Sequence, residues 1–185
     1  FLYRIPATGD RPLKFSATQL PAGLTHDVPP GMIRGAIKAR GEYVVTLQAR
    51  NALGNAKKPF RIVVGDRIAL TPPMGWSTWY MAFTQISEKL VRSEADALVS
   101  RGLAHSGSSY INIDDGWNIK PSSSDPAIGG TPRDADGNLR SNKDFPDMKL
   151  LADYVHIKGL RIGIYTSPGP LTCGGYEGSY RHEAQ

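Results

Sequence analysis

The sequence predicts a multi-domain chain, with a small all-β module over residues 1–66 followed by an α/β region over residues 67–185. Three observations predict it. Up to residue 66 the apolar residues fall in short β-branched and aromatic runs separated by Pro and Gly turn signals. Beyond it, runs of strand character alternate with helical stripes, as in βαβ units. Charge divides at the same place. Residues 1–66 carry ten Lys/Arg against four Asp/Glu, a net of +6, and residues 67–185 carry twelve against thirteen, a net of −1.

In the first region, Phe15-Ser16-Ala17 is a short alternating stretch, and residues 42–49 form a strand around Tyr43, Val44, Val45 and Leu47. Residues 51–55 make a turn, and residues 58–64 return as a second strand, so the two form a hairpin. Pro21, Gly23, Pro29, Pro30, Gly31 and Gly35 punctuate the rest. Short strands at this spacing predict a sandwich. The runs at 12–17, 20–25, 31–35, 41–45 and 49–54 resemble the immunoglobulin-like repeat of bacterial surface and secreted proteins. The pattern departs after Gly35, where Ala36-Ile37 replaces Thr-Pro, and at the Pro29-Pro30 turn. That resemblance implies a spacer or accessory module without chemistry. The basic charges are scattered singly along strands, which predicts solvated strand faces, not a nucleic-acid surface.

In the second region, Ser87 is placed to cap a helix running to about Arg101, with Leu90, Val91, Leu98 and Val99 on one face and Gly102 as its stop. Residues 110–113 read as a strand ending in Asp114-Asp115. A polar segment, 118–142, exceeds an ordinary connection and predicts a functional loop or an insertion. A second helix spans about 148–158, striped by Leu150, Leu151, Tyr154 and Val155 and ended by Gly159. A further strand, 160–165, leads into a Gly/Pro-rich loop, 166–178. This order fits a barrel or a doubly wound sheet. No G-x-G-x-x-G opens a helix after a strand, and Gly129-Gly130-Thr131 lies in the polar loop, so no dinucleotide or other cofactor is expected.

Asp114-Asp115 at a strand's carboxyl end is the strongest chemical feature, because α/β enzymes place working groups there. A metal site would want further ligands, and none follows at regular spacing, so no metal is expected. Adjacent strand residues point to opposite sides and make a poor acid/base pair. Gripping sugar hydroxyls through charge-assisted hydrogen bonds is open to them, as is a plain turn or cap. Trp76, Trp79, Tyr80, Phe83, Trp117 and Tyr165 are either core or sugar-stacking surface. The positions of Trp79, Asp114-Asp115, Trp117 and Tyr165 at strand ends of three successive units favour a site. The one cysteine, Cys173, can form no internal disulfide and reads as a buried or half-buried thiol. A nucleophilic role would need a base, and the nearest His is His182.

The same residues carry a second resemblance. Thr71-Pro72-Pro73-Met74-Gly75-Trp76-Ser77-Thr78-Trp79, Tyr110-Ile111-Asn112-Ile113-Asp114-Asp115-Gly116-Trp117 and the blocks at 86–90, 133–139, 151–160, 163–165 and 172–179 resemble the melibiase family of α-galactosidases and α-N-acetylgalactosaminidases. Seven ordered blocks span residues 71–185. The resemblance implies the N-terminal portion of a (β/α)₈ TIM barrel and a retaining mechanism. By position, Trp79 matches a pocket-wall tryptophan, Asp114 and Asp115 the pair that binds the galactose 4- and 6-hydroxyls, and Tyr165 a pocket tyrosine. Cys173 matches a pocket-side cysteine that in the family is disulfide-bonded to one after the fourth strand. Two departures are Gly116, where many members carry a disulfide cysteine, and Ser77-Thr78 in place of Asn-Ser.

The nucleophile and acid/base motifs of that family do not occur up to Gln185, so no catalytic residue is expected in this chain. It reads as part of a retaining exo-α-galactosidase, with a galactose-containing saccharide as substrate. Roughly 250 residues are needed for a full barrel, so these alone are expected to be marginally stable and inactive. A carbohydrate-binding or adhesion protein is the alternative, as is the same barrel acting on α-N-acetylgalactosaminides or β-L-arabinopyranosides. No apolar run reaches the roughly 18 residues of a membrane span, so no membrane insertion is expected. The pairing of the two resemblances implies a secreted, periplasmic or cell-surface bacterial protein.

Overall fold

The computed structural model describes residues 1–67 and 70–183. The chain forms two compact units, one of Phe1–Met74 with Leu98–Ser109 and one of Gly75–Ala97 with Tyr110–Gln185.

Six strands build the first unit: β1 (Leu2–Arg4), β2 (Lys14–Thr18), β3 (Leu24–Asp27), β4 (Met32–Gly35), β5 (Gly41–Arg50) and β6 (Asn55–Val64). They form two antiparallel three-stranded sheets, ordered β1-β4-β3 and β2-β5-β6. The expected hairpin is β5–β6, in register from Gly41 opposite Val64 to Arg50 opposite Asn55. Its turn is made by Asn51, whose side-chain Oδ1 accepts from the N–H groups of Leu53 (2.9 Å) and Gly54 (3.1 Å). Strand β6 starts three residues earlier than the sequence predicts. It tolerates Pro59 because it is an edge strand and the missing N–H costs no ladder bond. Alternation sets the faces: Val45 and Leu47 are buried while Val44 is exposed. Ile5, Leu24 and Ile33, from β3, β4 and the end of β1, meet Phe15, Val45, Leu47 and Ile62 of the other sheet in one apolar core. The predicted sandwich is therefore present.

The second unit holds a parallel sheet, ordered β7-β8-β9, of β7 (Gly75–Ser77), β8 (Tyr110–Ile113) and β9 (Arg161–Ile164). Helices α1 (Trp79–Ala82) and α2 (Glu88–Ser100) follow β7, and α3 (Met148–Ile157) precedes β9. The last residues of α2 and a 3-10 turn, Leu103–Ser106, belong to the first unit. Ser87 caps α2 as expected, its Oγ accepting from Leu90 N–H at 3.3 Å. Asp147 caps α3, accepting from Leu150 N–H at 2.9 Å. Val91 and Ala95 of α2, Leu151 and Val155 of α3, and Ile111 and Ile113 of β8 are buried.

Leu150 differs from expectation: it is 58% exposed. Leu151 and Val155, four residues apart, take the inward face, and Leu150 sits about 100° around the helix from Leu151 and about 140° from Val155. Tyr154 turns its hydroxyl to Asp96 of α2 (2.8 and 2.9 Å), which also pairs with Lys158 at 2.5 Å. Arg92 and Lys158 lie over the Tyr154 ring, each 4.3 Å from its centroid. No helix among the described residues is long and apolar enough to cross a membrane.

Candidate functional site

The site is built at the carboxyl ends of the three parallel strands. Buried Thr78, just past β7, donates its N–H to Asn112 O (3.1 Å) and accepts at Oγ1 from Asp114 N–H (2.9 Å). Tyr165, just past β9, donates its N–H to Ile113 O at 2.9 Å. These bonds continue the ladder beyond the strands and fix where Trp79, Asp114 and Tyr165 leave the sheet.

The two carboxylates are placed differently. Asp114 is half-buried. Its Oδ1 accepts from the N–H of Asp115 at 2.8 Å, and its Oδ2 accepts no hydrogen bond from the described residues. Asp115 is 1% exposed. Its Oδ1 accepts from Thr172 Oγ1 (2.8 Å) and its Oδ2 from Gly174 N–H (2.7 Å). A carboxylate buried this far needs such donors to offset its lost hydration. Asp114 directly follows β8 and Asp115 stands in the turn after it, so the two side chains leave the strand end into different surroundings. Asp114 keeps an oxygen for a ligand, whereas Asp115 anchors the loop, each of its oxygens retaining one lone pair.

The anchored loop is a tight hairpin. Leu171 bridges Glu177, Thr172 N–H donates to Tyr176 O at 2.8 Å, and Gly178 N–H donates to Pro170 O at 2.9 Å. Thr172 Oγ1 also accepts from Tyr176 N–H at 3.0 Å. The corner after Asp115 needs Gly116: its φ is 110°, and a Cβ there would lie 2.9 Å from Thr84 O and 3.0 Å from Thr84 Cα. In this chain a side chain at position 116, such as the cysteine the resemblance expects in many members, would crowd Thr84. Asn142, 3% exposed, braces the same corner by donating to Gly116 O (2.7 Å) and Asn118 O (3.1 Å).

The aromatic residues divide. Trp117 is buried, and its Nε1–H donates to Tyr165 O at 2.8 Å, so it props the tip of β9 from below. Trp79 is half-buried and meets Phe83 edge-on, centroids 5.4 Å apart. Tyr80 is 92% exposed and Trp76 half-buried. The Tyr165 phenol is held above its ordinary ionisation range, chiefly by desolvation, then by Cys173, Asp115 and Asp114 nearby, with a Cys173 hydrogen bond. Those influences bring Tyr165, Cys173 and both aspartates into one neighbourhood. Cys173 is exposed, contrary to the buried or half-buried thiol read from the sequence, because the hairpin turns its tip outward. Among the described residues no group of three or more His, Cys, Asp or Glu is arranged to hold a metal ion.

Residues that sequence reasoning missed are the struts. Thr78, Asn118, Asn142 and Thr172 are all buried polar side chains. Each is an ordinary loop residue by spacing, and only its neighbour in space gives it a task.

The Melibiase_2 family, described as alpha galactosidase A, matches residues 71–185. Alpha-galactosidase A of Cellvibrio japonicus is 43% identical over 122 residues, which is 65% of this chain and 27% of that protein. Alpha-galactosidase of Coffea arabica is 44% identical over 128 residues, 68% of this chain and 31% of that protein. Among solved structures, a Bacteroides fragilis protein assigned as an alpha-galactosidase/melibiase superposes with a TM-score of 0.90 at 41% identity, covering 99% of this chain and 37% of that one. Alpha-galactosidase of Saccharomyces cerevisiae, solved with raffinose, gives 0.54 at 36% identity over 63% of this chain and 24% of that one. The chain thus spans about a third of the length of the relatives it matches. Of the barrel and the doubly wound sheet left open by the order of elements, these neighbours select the barrel. The chain belongs to the alpha galactosidase A (Melibiase_2) family, and its second unit is a segment of the TIM-barrel fold of its alpha-galactosidase neighbours.

Proposed function

We propose that this chain supplies one wall of the galactose-binding pocket of a retaining exo-α-galactosidase. The observation that carries the reading is the free Oδ2 of Asp114, beside Tyr165 at the strand tips and next to the tryptophan-bearing turn. A carboxylate oxygen without an internal donor is matched to a sugar hydroxyl, and the Trp79 face is matched to the C–H side of a pyranose ring. Asp115 contributes in two ways. It binds the sugar through its remaining lone pairs, and it sets the loop that carries Cys173 beside the pocket.

In this reading the wall orients the galactoside. The nucleophile and the acid/base of the double displacement are none of the described carboxylates. Asp115 is committed to Thr172 and Gly174, and Asp114 lies next to it on the same strand end, so the two cannot face one another across a glycosidic bond. The raffinose seen with the yeast relative supports a galactoside over an unrelated ligand. N-acetylgalactosamine differs from galactose at the 2-position and an arabinopyranoside lacks the C6 hydroxymethyl, so the three are compared directly in the test.

We assign the first unit as an immunoglobulin-like accessory module of an exported protein, supported by its two antiparallel sheets and shared apolar core. Titration of the chain with each of the three sugars and with glucose as control, followed by Trp fluorescence, tests the pocket. Galactose-dependent quenching that disappears in Trp79→Ala is expected. Quenching that survives that change, or is equal for glucose, would overturn the assignment.

A further inference from the structure

Arg133 lies in the long polar segment and touches none of the pocket residues, yet its side chain is only 13% exposed. Its guanidinium donates three ways. Nε–H reaches Glu177 Oε1 at 3.1 Å, one terminal N–H reaches Gly137 O at 2.7 Å, and the other reaches Gly178 O. Glu177 is fixed by two more bonds, its N–H to Ile119 O (3.1 Å) and its O accepting from Asn118 Nδ2 (2.8 Å). The returning arm of the 170–178 hairpin is therefore riveted to two other segments, and Arg133 is a charged rivet that reaches three acceptors. The outgoing arm carries the free end of the same lever: Thr172 and Gly174, which hold Asp115, and Cys173, which neighbours Tyr165.

We infer that Arg133 is a positioning residue for the sugar pocket, acting through the 170–178 hairpin. With the return arm pinned, the Thr172 hydroxyl and the Gly174 N–H are preset on the Asp115 carboxylate, and a ligand meets a fixed Asp115–Cys173–Tyr165 edge. Preset geometry lowers the ordering cost of binding. Only an arginine can do this, because three acceptors in different directions need a planar fork of donors; a lysine serves one or two. Without Arg133 the Glu177 carboxylate, 22% exposed, and two backbone carbonyls lose their donor, and the arm has reason to turn toward water. The effect on sugar binding rests on the pocket reading above; the effect on the hairpin does not.

The test uses the full chain as wild type, Arg133→Met and Arg133→Lys, each at a temperature well below its unfolding. Three quantities are read: the rate of Cys173 alkylation by iodoacetamide, the hydrogen exchange of the Gly174 amide, and galactose affinity. Arg133→Met is expected to speed alkylation and Gly174 exchange about tenfold and to weaken galactose binding about tenfold, the scale of one charge-assisted hydrogen bond. Amides of α2 and α3 should exchange as in wild type, which a merely global loss of stability would not allow. Arg133→Lys should fall between the two. A folded Arg133→Met with unchanged Cys173 and Gly174 behaviour would overturn the inference. Should Arg133→Met not fold, unchanged readouts in Arg133→Lys would do the same. Should wild type bind no galactose, the pocket reading fails while the first two readouts still decide the role of Arg133.

Discussion

The two units solve burial in opposite ways. In the sandwich the interior is apolar from both sheets, and Arg4 is its one buried polar side chain among the described residues. In the α/β unit the remaining buried polar side chains, Thr78, Asp115, Asn118, Asn142 and Thr172, all lie beyond the ends of the strands. Buried polar groups cost free energy unless fully hydrogen-bonded, so a fold places them where geometry matters more than stability. One unit is held by packing that any well-shaped apolar set would satisfy. The other is held at its working end by specific donors and acceptors.

That contrast predicts where each unit breaks. Ile33→Ala should have the largest effect, about 3 kcal/mol, from removing a fully buried side chain of the sandwich core. Local hydrogen exchange should report the loss in β1–β6 and leave β8 and β9 protected. Asp115→Asn should cost less, about 2 kcal/mol, because an amide has one acceptor oxygen where the carboxylate serves two donors, the Thr172 hydroxyl and the Gly174 N–H. Its signature is local: exchange rises at residues 170–178, galactose affinity falls sharply, and the sandwich is untouched. Unaltered sugar binding in Asp115→Asn would reduce that residue to a structural turn. Gly116→Ala should cost about 1–3 kcal/mol for the left-handed backbone, with Thr84 displaced as well, again only in the α/β unit.

Smaller effects come from pH, and the two units should respond at opposite ends of the scale. His26 and His105 in the first unit are both held below the ordinary histidine value of 6.5, chiefly by burial, with Asp27 partly opposing it at His26 and Arg11 and Arg4 reinforcing it at His105. The unfolded chain therefore binds more protons below about pH 6.5, and the sandwich loses stability as pH falls through that point. Tyr165 and Tyr176 in the second unit are both raised above 10.0, mainly by desolvation. The unfolded chain then binds fewer protons above about pH 10, and the α/β unit loses stability as pH rises past it. Urea melts followed by unit-specific hydrogen exchange at pH 5, 7 and 10.5 would show it. The same order of loss in both units at both extremes would break the contrast.

How much was legible in the sequence follows the same division. Alternation marked β5 and β6, and helical stripes with Ser87, Gly102 and Gly159 marked α2 and α3, because those signals are local. The short strands β1, β3 and β4 were hidden, since three or four residues are too few for a period to declare itself. The placement of the Asp114-Asp115 pair, Trp79 and Tyr165 just past strand ends was legible because the strands that lead to them carry local apolar signals. Their division of labour was not, because Thr172 and Gly174 reach Asp115 from 57 and 59 residues away, and spacing in sequence carries no trace of that approach. Trp117 shows the same limit: its place at a strand end matched Trp79's, and only the bond to Tyr165 O reveals a strut.

The central claim is that Asp114, with an oxygen left free, is the principal sugar-gripping member of the pair. Galactose titration of wild type and Asp114→Asn, followed by NMR at the Trp79 indole and the 172–174 amides, tests it most directly. Saturable shifts at both places in wild type, with a Kd near 1 mM (about −4 kcal/mol), should vanish in Asp114→Asn while the Asp115 loop stays ordered. Shifts that persist unchanged in Asp114→Asn, or wild-type shifts that avoid Trp79 and residues 172–174, would contradict it.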